Sequence, residues 1–175
     1  MYICLRSHLH RVFCLNSLNA LKTKFGIRYH GRTYTWKLEH DQSLYDSKKT
    51  RQNIQQAFDY WAHYTESTFR EVAQDEKADF NFAFVSGDHS DGASLNRHGR
   101  KVFHTFSTED PYTVHIYFDA NENWSNAYDA IGNNLFLVIA HEIALIFGLL
   151  HSNDDKSIMP PFYQAIHPNE VLPIQ

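Results

Sequence analysis

The sequence predicts a mixed α/β domain with a four- or five-stranded sheet and two clear helices. Three patterns carry that expectation. Several short runs alternate apolar with polar residues, one stretch repeats its apolar residues at the helical period, and Leu135 to Phe147 is apolar nearly all round, as a helix buried inside a domain should be.

Taken in order, Tyr34, Trp36 and Leu38 alternate with polar residues and read as a half-buried strand. Ser47 is placed to cap a helix whose apolar positions Ile54, Ala57, Phe58, Trp61 and Ala62 follow the helical repeat. A short strand around Phe69 to Val72 follows, and Phe80, Phe82 and Phe84 alternate again. Gly87 to Gly99 is a polar, glycine-bearing loop. Val102 to Phe106 and Thr113 to Phe118 read as two more strands. Beyond His151, Pro160, Pro161, Pro168 and Pro173 exclude a long helix.

At 175 residues the chain is long enough for one domain with a sizeable core and too short for two ordinary ones. Its 43% hydrophobic and 15% aromatic content argues for close packing rather than disorder. A formal charge of -4 and a pI near 6.3 leave no electrostatic footprint for nucleic acid or anionic membrane. Leu135 to Leu150, broken by His141 and Glu142, falls short of the ~18 apolar residues of a membrane span. Residues 1–28 form a segment of unclear role before a domain over 29–175. Arg6, His8, His10 and Arg11 interrupt the apolar stretch that an export signal needs, which points to an intracellular protein or to an N-terminus lying elsewhere. Cys4 and Cys14 are equally open to pairing and to remaining free thiols.

The most informative phrase is His141-Glu142-Ile143-Ala144-Leu145-Ile146-Phe147-Gly148-Leu149-Leu150-His151. Histidines four apart on a helix share a face and can grip one metal ion, with the intervening Glu reaching the metal-bound water. A glycine then ends the helix and lets the chain turn back to a third histidine. His141, Glu142, Gly148 and His151 stand at that spacing, but Leu145 fills the place of the second histidine. Ser157-Ile158-Met159-Pro160-Pro161-Phe162-Tyr163 follows, with Met159 eight residues after His151.

From about Tyr29 to Leu172 the chain resembles a matrixin, the catalytic domain of a matrix metalloproteinase in the metzincin clan. Met159 to Gln164 is most similar to the membrane-type members. The resemblance implies a twisted, mostly parallel sheet with an antiparallel edge strand and packed helices, the closing C-terminal helix being missing. It implies a zinc endopeptidase acting on extracellular proteins, with an extended peptide or protein substrate in a cleft and a monomeric chain. His141 and His151 then fall on two of three catalytic zinc ligands, and Glu142 on the general base that takes a proton from the attacking water. Met159 matches the hydrophobic floor, Pro161 and Tyr163 the wall of the pocket for the side chain after the cut. Val102 and Phe103 open the edge strand, through Thr105, along which substrate lies by strand addition.

The same resemblance places a structural zinc at His89, Asp91 and His104. Its fourth ligand position holds Tyr117, a poor donor while its phenol keeps its proton. His115, two residues earlier on the same strand face, is the alternative, reachable by a two-residue slip or a bulge but not by a rigid strand, being roughly 6.8 Å away. Asp119 and Glu122 match calcium ligands, although Asn96 replaces a further aspartate and Arg97 and Arg100 replace glycines. Those arginines could instead pair with the two carboxylates. The family's latency segment has no counterpart before the domain, which fits a truncated or diverged copy.

Leu145 is the departure that decides the chemistry. Even losing a residue that only supports a metal ligand costs ~10–100-fold in affinity or activity, so losing a donor should cost more than ~1.4–2.7 kcal/mol. Without metal, Leu145 would fill core volume and the histidines would find other hydrogen-bond partners. The expectation is a metallopeptidase domain of impaired activity; the alternative is a non-catalytic module that binds peptides or inhibitors.

Overall fold

The computed structural model describes residues 31–41, 45–86, 103–107, 113–128, 131–154 and 156–167, with backbone alone for 40–41 and 103–107. Five strands form the main sheet: β1 (Thr33–Asp41), β2 (Thr68–Glu71), β3 (Phe80–Val85), β4 (Phe103–Ser107) and β5 (Val114–Asp119). Their spatial order is β2-β1-β3-β5-β4. All neighbours run parallel except β4, an antiparallel edge on β5.

Parallel neighbours need a crossover between them, and α1 (Ser47–Thr65) supplies it from β1 to β2. Its cap is Asp46, whose side chain accepts from the Lys49 amide at 2.9 Å, so the expected cap at Ser47 is displaced by one residue. Both residues can cap, but Asp46 has the extended backbone that the role requires, while Ser47 is already helical. The last turn ends at Glu66, which sits in the left-handed region with φ 54°.

The core lies between the sheet and α1 together with α2 (Leu135–Ile146). Alternation in the strands aims Trp36, Leu38, Phe80, Phe82, Phe84, Ile116 and Phe118 at the helices, all nearly inaccessible. Phe58 of α1 stacks on Phe69 at 4.5 Å and meets Phe80 and Phe82 edge-on, each pair adding about 0.5–1.5 kcal/mol beyond burial. Trp61 buries its ring and donates from Nε1 to the Ala140 carbonyl at 2.8 Å, which fixes α2 against α1.

One feature was not expected from the sequence: Trp124–Ser125 (β6) and Asn133–Asn134 (β7) form a small parallel pair. Gly132 belongs there, because a Cβ at that position would meet the Asn123 carbonyl oxygen at 2.7 Å. The pair leads directly into α2, whose cap Asn134 accepts from the Leu137 amide at 3.1 Å.

Candidate active site

Helix α2 carries the site and a glycine turn completes it. The helix closes with Gly148 at φ 89°, the Leu149 amide donating to the Ala144 carbonyl and the Gly148 amide to Leu145, both at 2.9 Å. That pattern needs a left-handed residue after the cap, which glycine adopts without strain. It folds the chain back so that His151 returns to His141. Their rings stack at 5.1 Å between centroids and 26° between planes.

The segment around Met159 braces both histidines. The His141 Nδ1 lies 3.0 Å from the Ile158 carbonyl, which can only accept, so Nδ1 carries the proton and Nε2 is left with its lone pair. The Ser152 amide, next to His151, donates to the Met159 carbonyl at 2.6 Å. Met159 itself is buried, and its amide donates to the Ser157 hydroxyl.

Three polar atoms in this site are buried with no hydrogen-bond partner among the described residues: Nε2 of His141, Nε2 of His151 and Oε1 of Glu142. Of the partners expected for the histidines without metal, the Ile158 carbonyl at the His141 Nδ1 is present, and neither Nε2 has one among the described residues. Burial pushes the His141 imidazole down to about 4 and lowers His151 as well, so His141 is neutral near pH 7. Burial raises the Glu142 carboxyl well above its usual range. Neutral imidazoles with a free Nε2 and a carbonyl-held Nδ1 are the state in which histidine binds a metal.

The two rings fit a metal ion. On a tetrahedral zinc with bonds of about 2.0–2.1 Å, imidazole centroids fall about 5 Å apart, close to the observed separation. The full catalytic set does not fit. Leu145, one turn after His141, is half-buried against the core and offers no lone pair. No three histidine, cysteine, aspartate or glutamate side chains among the described residues already stand together at ligand spacing.

Beside His141 opens an apolar pocket of roughly 470 Å³, mouth included. Leu137, Val138, Pro160, Tyr163 and Ile166 line it together with His141 and Glu142. Tyr163, expected in the wall of the substrate pocket, lines this one beside Pro160, while Pro161 does not. The Tyr163 hydroxyl accepts from the Asn134 amide at 2.7 Å and donates to the Gly132 carbonyl at 3.3 Å. That ties the wall to the start of α2. Leu137, Val138 and Ile166 escaped the sequence reading, since nothing local links the first turn of α2 to a loop after residue 160.

The second group of expected ligands is only partly visible. His89, Asp91, Val102, Arg97 and Arg100 lie outside the described residues, and His104 and Phe103 are placed by backbone alone. The β4–β5 ladder runs without a bulge from Phe103↔Phe118 to Ser107↔Val114, which sets His104 opposite Tyr117 and Phe106 opposite His115. A slip bringing His115 to His104 is not present. Instead the His115 Nδ1 lies 3.8 Å from Glu39 Oε2, and its ring stacks on Tyr117 at 6.2 Å. Asp119 is buried and accepts from the Asn121 amide at 2.9 Å; Glu122 accepts from the Asn133 side chain at 3.3 Å.

Comparison with known proteins now gives a family. The Matrixin family matches residues 28–174. Macrophage metalloelastase of Rattus norvegicus is 38% identical over 116 residues, 66% of this chain and 24% of that protein. Matrix metalloproteinase-16 of Homo sapiens is 32% identical over 146 residues, 79% of this chain and 24% of that protein. The hatching enzyme of Paracentrotus lividus is 35% identical over 119 residues, 68% of this chain and 20% of that protein. The chain thus spans about a quarter of the length of such relatives. Among the described residues no helix is long and apolar enough to cross a membrane.

Proposed function

The chain belongs to the Matrixin family, and from that premise we propose a metalloendopeptidase-like domain whose hydrolysis is impaired by Leu145. The observation that carries this reading is the pair of orphaned imidazole nitrogens, held by the Met159 segment beside an aliphatic side chain. Such support for a metal is costly to keep without one, because unpaired buried polar atoms cost about 1–3 kcal/mol each. Two protein ligands, however, fall short of the three of a catalytic zinc site.

In this reading His141 and His151 hold the ion, which when bound would polarise a peptide carbonyl. Glu142 is the proton-accepting group, Met159 the floor, and the pocket around Tyr163 receives an apolar side chain of an extended peptide laid along Val102 and Phe103. His89, Asp91 and His104 hold a structural zinc, with the unbroken ladder favouring the Tyr117 position over His115 for its fourth place. Asp119 and Glu122 hold calcium. Extracellular location is proposed from resemblance to the family, and a monomeric state is proposed with it.

A second reading is favoured by the pocket, whose wall is tied to the start of α2 whatever happens at residue 145: a module that binds peptides or inhibitors without cutting them. Cleavage of a fluorogenic peptide by the zinc-supplemented native and Leu145→His chains separates the two. The expected result is little or no turnover by the native chain and clear turnover by the variant. Brisk, chelator-sensitive cleavage by the native chain would overturn the impairment. Peptide binding without turnover by both would favour the binding module.

A further inference from the structure

We infer that Asn123 is a glycosylation site, taking an N-linked oligosaccharide on its side-chain amide nitrogen. The inference rests on the extracellular reading for the compartment in which sugar is added, and otherwise on the turn that carries the residue.

The sequence supplies the acceptor. Asn123-Trp124-Ser125 is the one place in the 175 residues where an asparagine stands two positions before a serine or threonine with no proline between. That pattern serves as an acceptor when its asparagine lies on a surface loop of a secreted protein. The fold meets the surface requirement. The stretch leaves the sheet after β5, and Asn123 is exposed while its neighbour Trp124 is buried. Trp124 is fixed inward by its Nε1, which donates to the Asp119 carbonyl at 2.8 Å, and by edge-on packing against Phe84 and Phe118. With the middle residue of the three anchored, the asparagine is turned out to solvent. Its backbone is held as well, the Asn123 carbonyl accepting from the Asn133 amide at 2.8 Å.

The amide nitrogen itself has room. Nδ2 donates one proton to the Ile131 carbonyl at 3.2 Å. A Cβ at Gly132 would stand 3.1 Å from Nδ2, so the glycine keeps the nitrogen uncrowded on that side. In the transfer, Nδ2 bonds to the anomeric carbon of an oligosaccharide carried on a lipid pyrophosphate. The bond from that carbon to the pyrophosphate oxygen breaks, the lipid pyrophosphate leaves with the electron pair, and Nδ2 gives up one proton. Its second proton remains for the Ile131 carbonyl. The sugar then stands beside Ile131, which at 79% is the most exposed large apolar side chain among the described residues, and gives it a hydrophilic cover.

The test expresses the full chain behind an export leader in a secreting eukaryotic cell. Glycan is read by gel mobility with and without peptide N-glycosidase, and by mass spectrometry of the peptide that holds residue 123. The native chain should carry one glycan, whose enzymatic removal leaves aspartate at that position. Asn123→Gln and Ser125→Ala should each abolish it, while Ser125→Thr, which keeps the hydroxyl, should retain it. Sugar is added as the chain enters the export route, so a variant that folds poorly still reports. Native chain recovered from the medium without sugar at Asn123 would overturn the inference and leave the extracellular reading standing. So would a glycan that survives Asn123→Gln. Native chain glycosylated at Asn123 yet held inside the cells would support the inference and count against the extracellular reading.

Discussion

In the proposed reading the helix site on α2 and the outer face of the sheet near β5 each lack one donor of a metal centre, and they lack it differently. At the helix the proposed loss is a single side chain, Leu145, and its surroundings keep the two histidines in place. The Ile158 carbonyl holds the His141 tautomer, the Met159 carbonyl holds the backbone beside His151, and both Nε2 atoms remain unengaged. On the sheet the candidate replacement, His115, also has a buried Nδ1 with no hydrogen-bond partner among the described residues, but strand register holds it away from His104. The strand ladder puts it opposite Phe106, and it lies against Tyr117 and close to Glu39. A site that keeps its support after losing a donor can be repaired by one substitution. Where register sets the spacing, adding a donor two residues away repairs nothing.

The largest stability effect separating the regions should come from Met159→Ala. Removing a buried methionine typically costs about 2–5 kcal/mol, and here it also loosens the segment that holds both histidines. Thermal unfolding and zinc affinity should fall together; a destabilised chain with unchanged zinc affinity would show that the brace is unimportant.

Next comes the pH response of the metal-free chain. Glu142 has its carboxyl raised above the ordinary 4.5, so its contribution is full below that value and is lost as pH rises towards the folded one. His141, brought down from 6.5 to about 4, acts oppositely: its contribution is full above 6.5 and is lost as pH falls towards 4. Glu142→Gln removes only the first of these. In the presence of chelator it should melt higher than the native chain at pH 8 and close to it at pH 4.5. Equal melting temperatures at pH 8 would mean the carboxyl is not isolated as described.

Much of this was readable in advance, for physical reasons that differ by element. Strand β1 and helix α1 declare themselves because burial on one face imposes a period on the residues themselves, whereas α2, buried nearly all round, shows as an almost unbroken apolar run. His141, Glu142, Gly148 and His151 are legible because a helix and one turn fix their geometry locally. The strand pair at Trp124–Ser125 and Asn133–Asn134 is too short for any period. Ser47 and Asp46 are adjacent and equally able to cap, so only the backbone path distinguishes them. The pocket lining and the His104–Tyr117 pairing join distant segments, and spacing along the chain does not encode which residues meet.

Two smaller effects sharpen the contrast further. Tyr163→Phe removes the hydroxyl that joins the pocket wall to the Asn134 amide, and should cost about 1 kcal/mol in unfolding free energy. Peptide binding should weaken with it, and undiminished binding would show that the wall is held by packing alone. His115→Ala should change stability by no more than about 0.5–1 kcal/mol, its Glu39 partner being well short of buried. It should leave the zinc content of the chain unchanged. Loss of one zinc ion in this variant would mean the ladder slips in solution and that the sheet site, too, is repairable.

The most direct measurement is the zinc affinity of the native chain against Leu145→His under identical chelator competition. The account predicts tighter binding in the variant by more than ~100-fold, since a missing donor should cost more than the ~10–100-fold of a supporting residue. Equal affinity in the two chains would contradict it, showing that position 145 does not face the ion and that His141 and His151 are not the remnant of a three-histidine site.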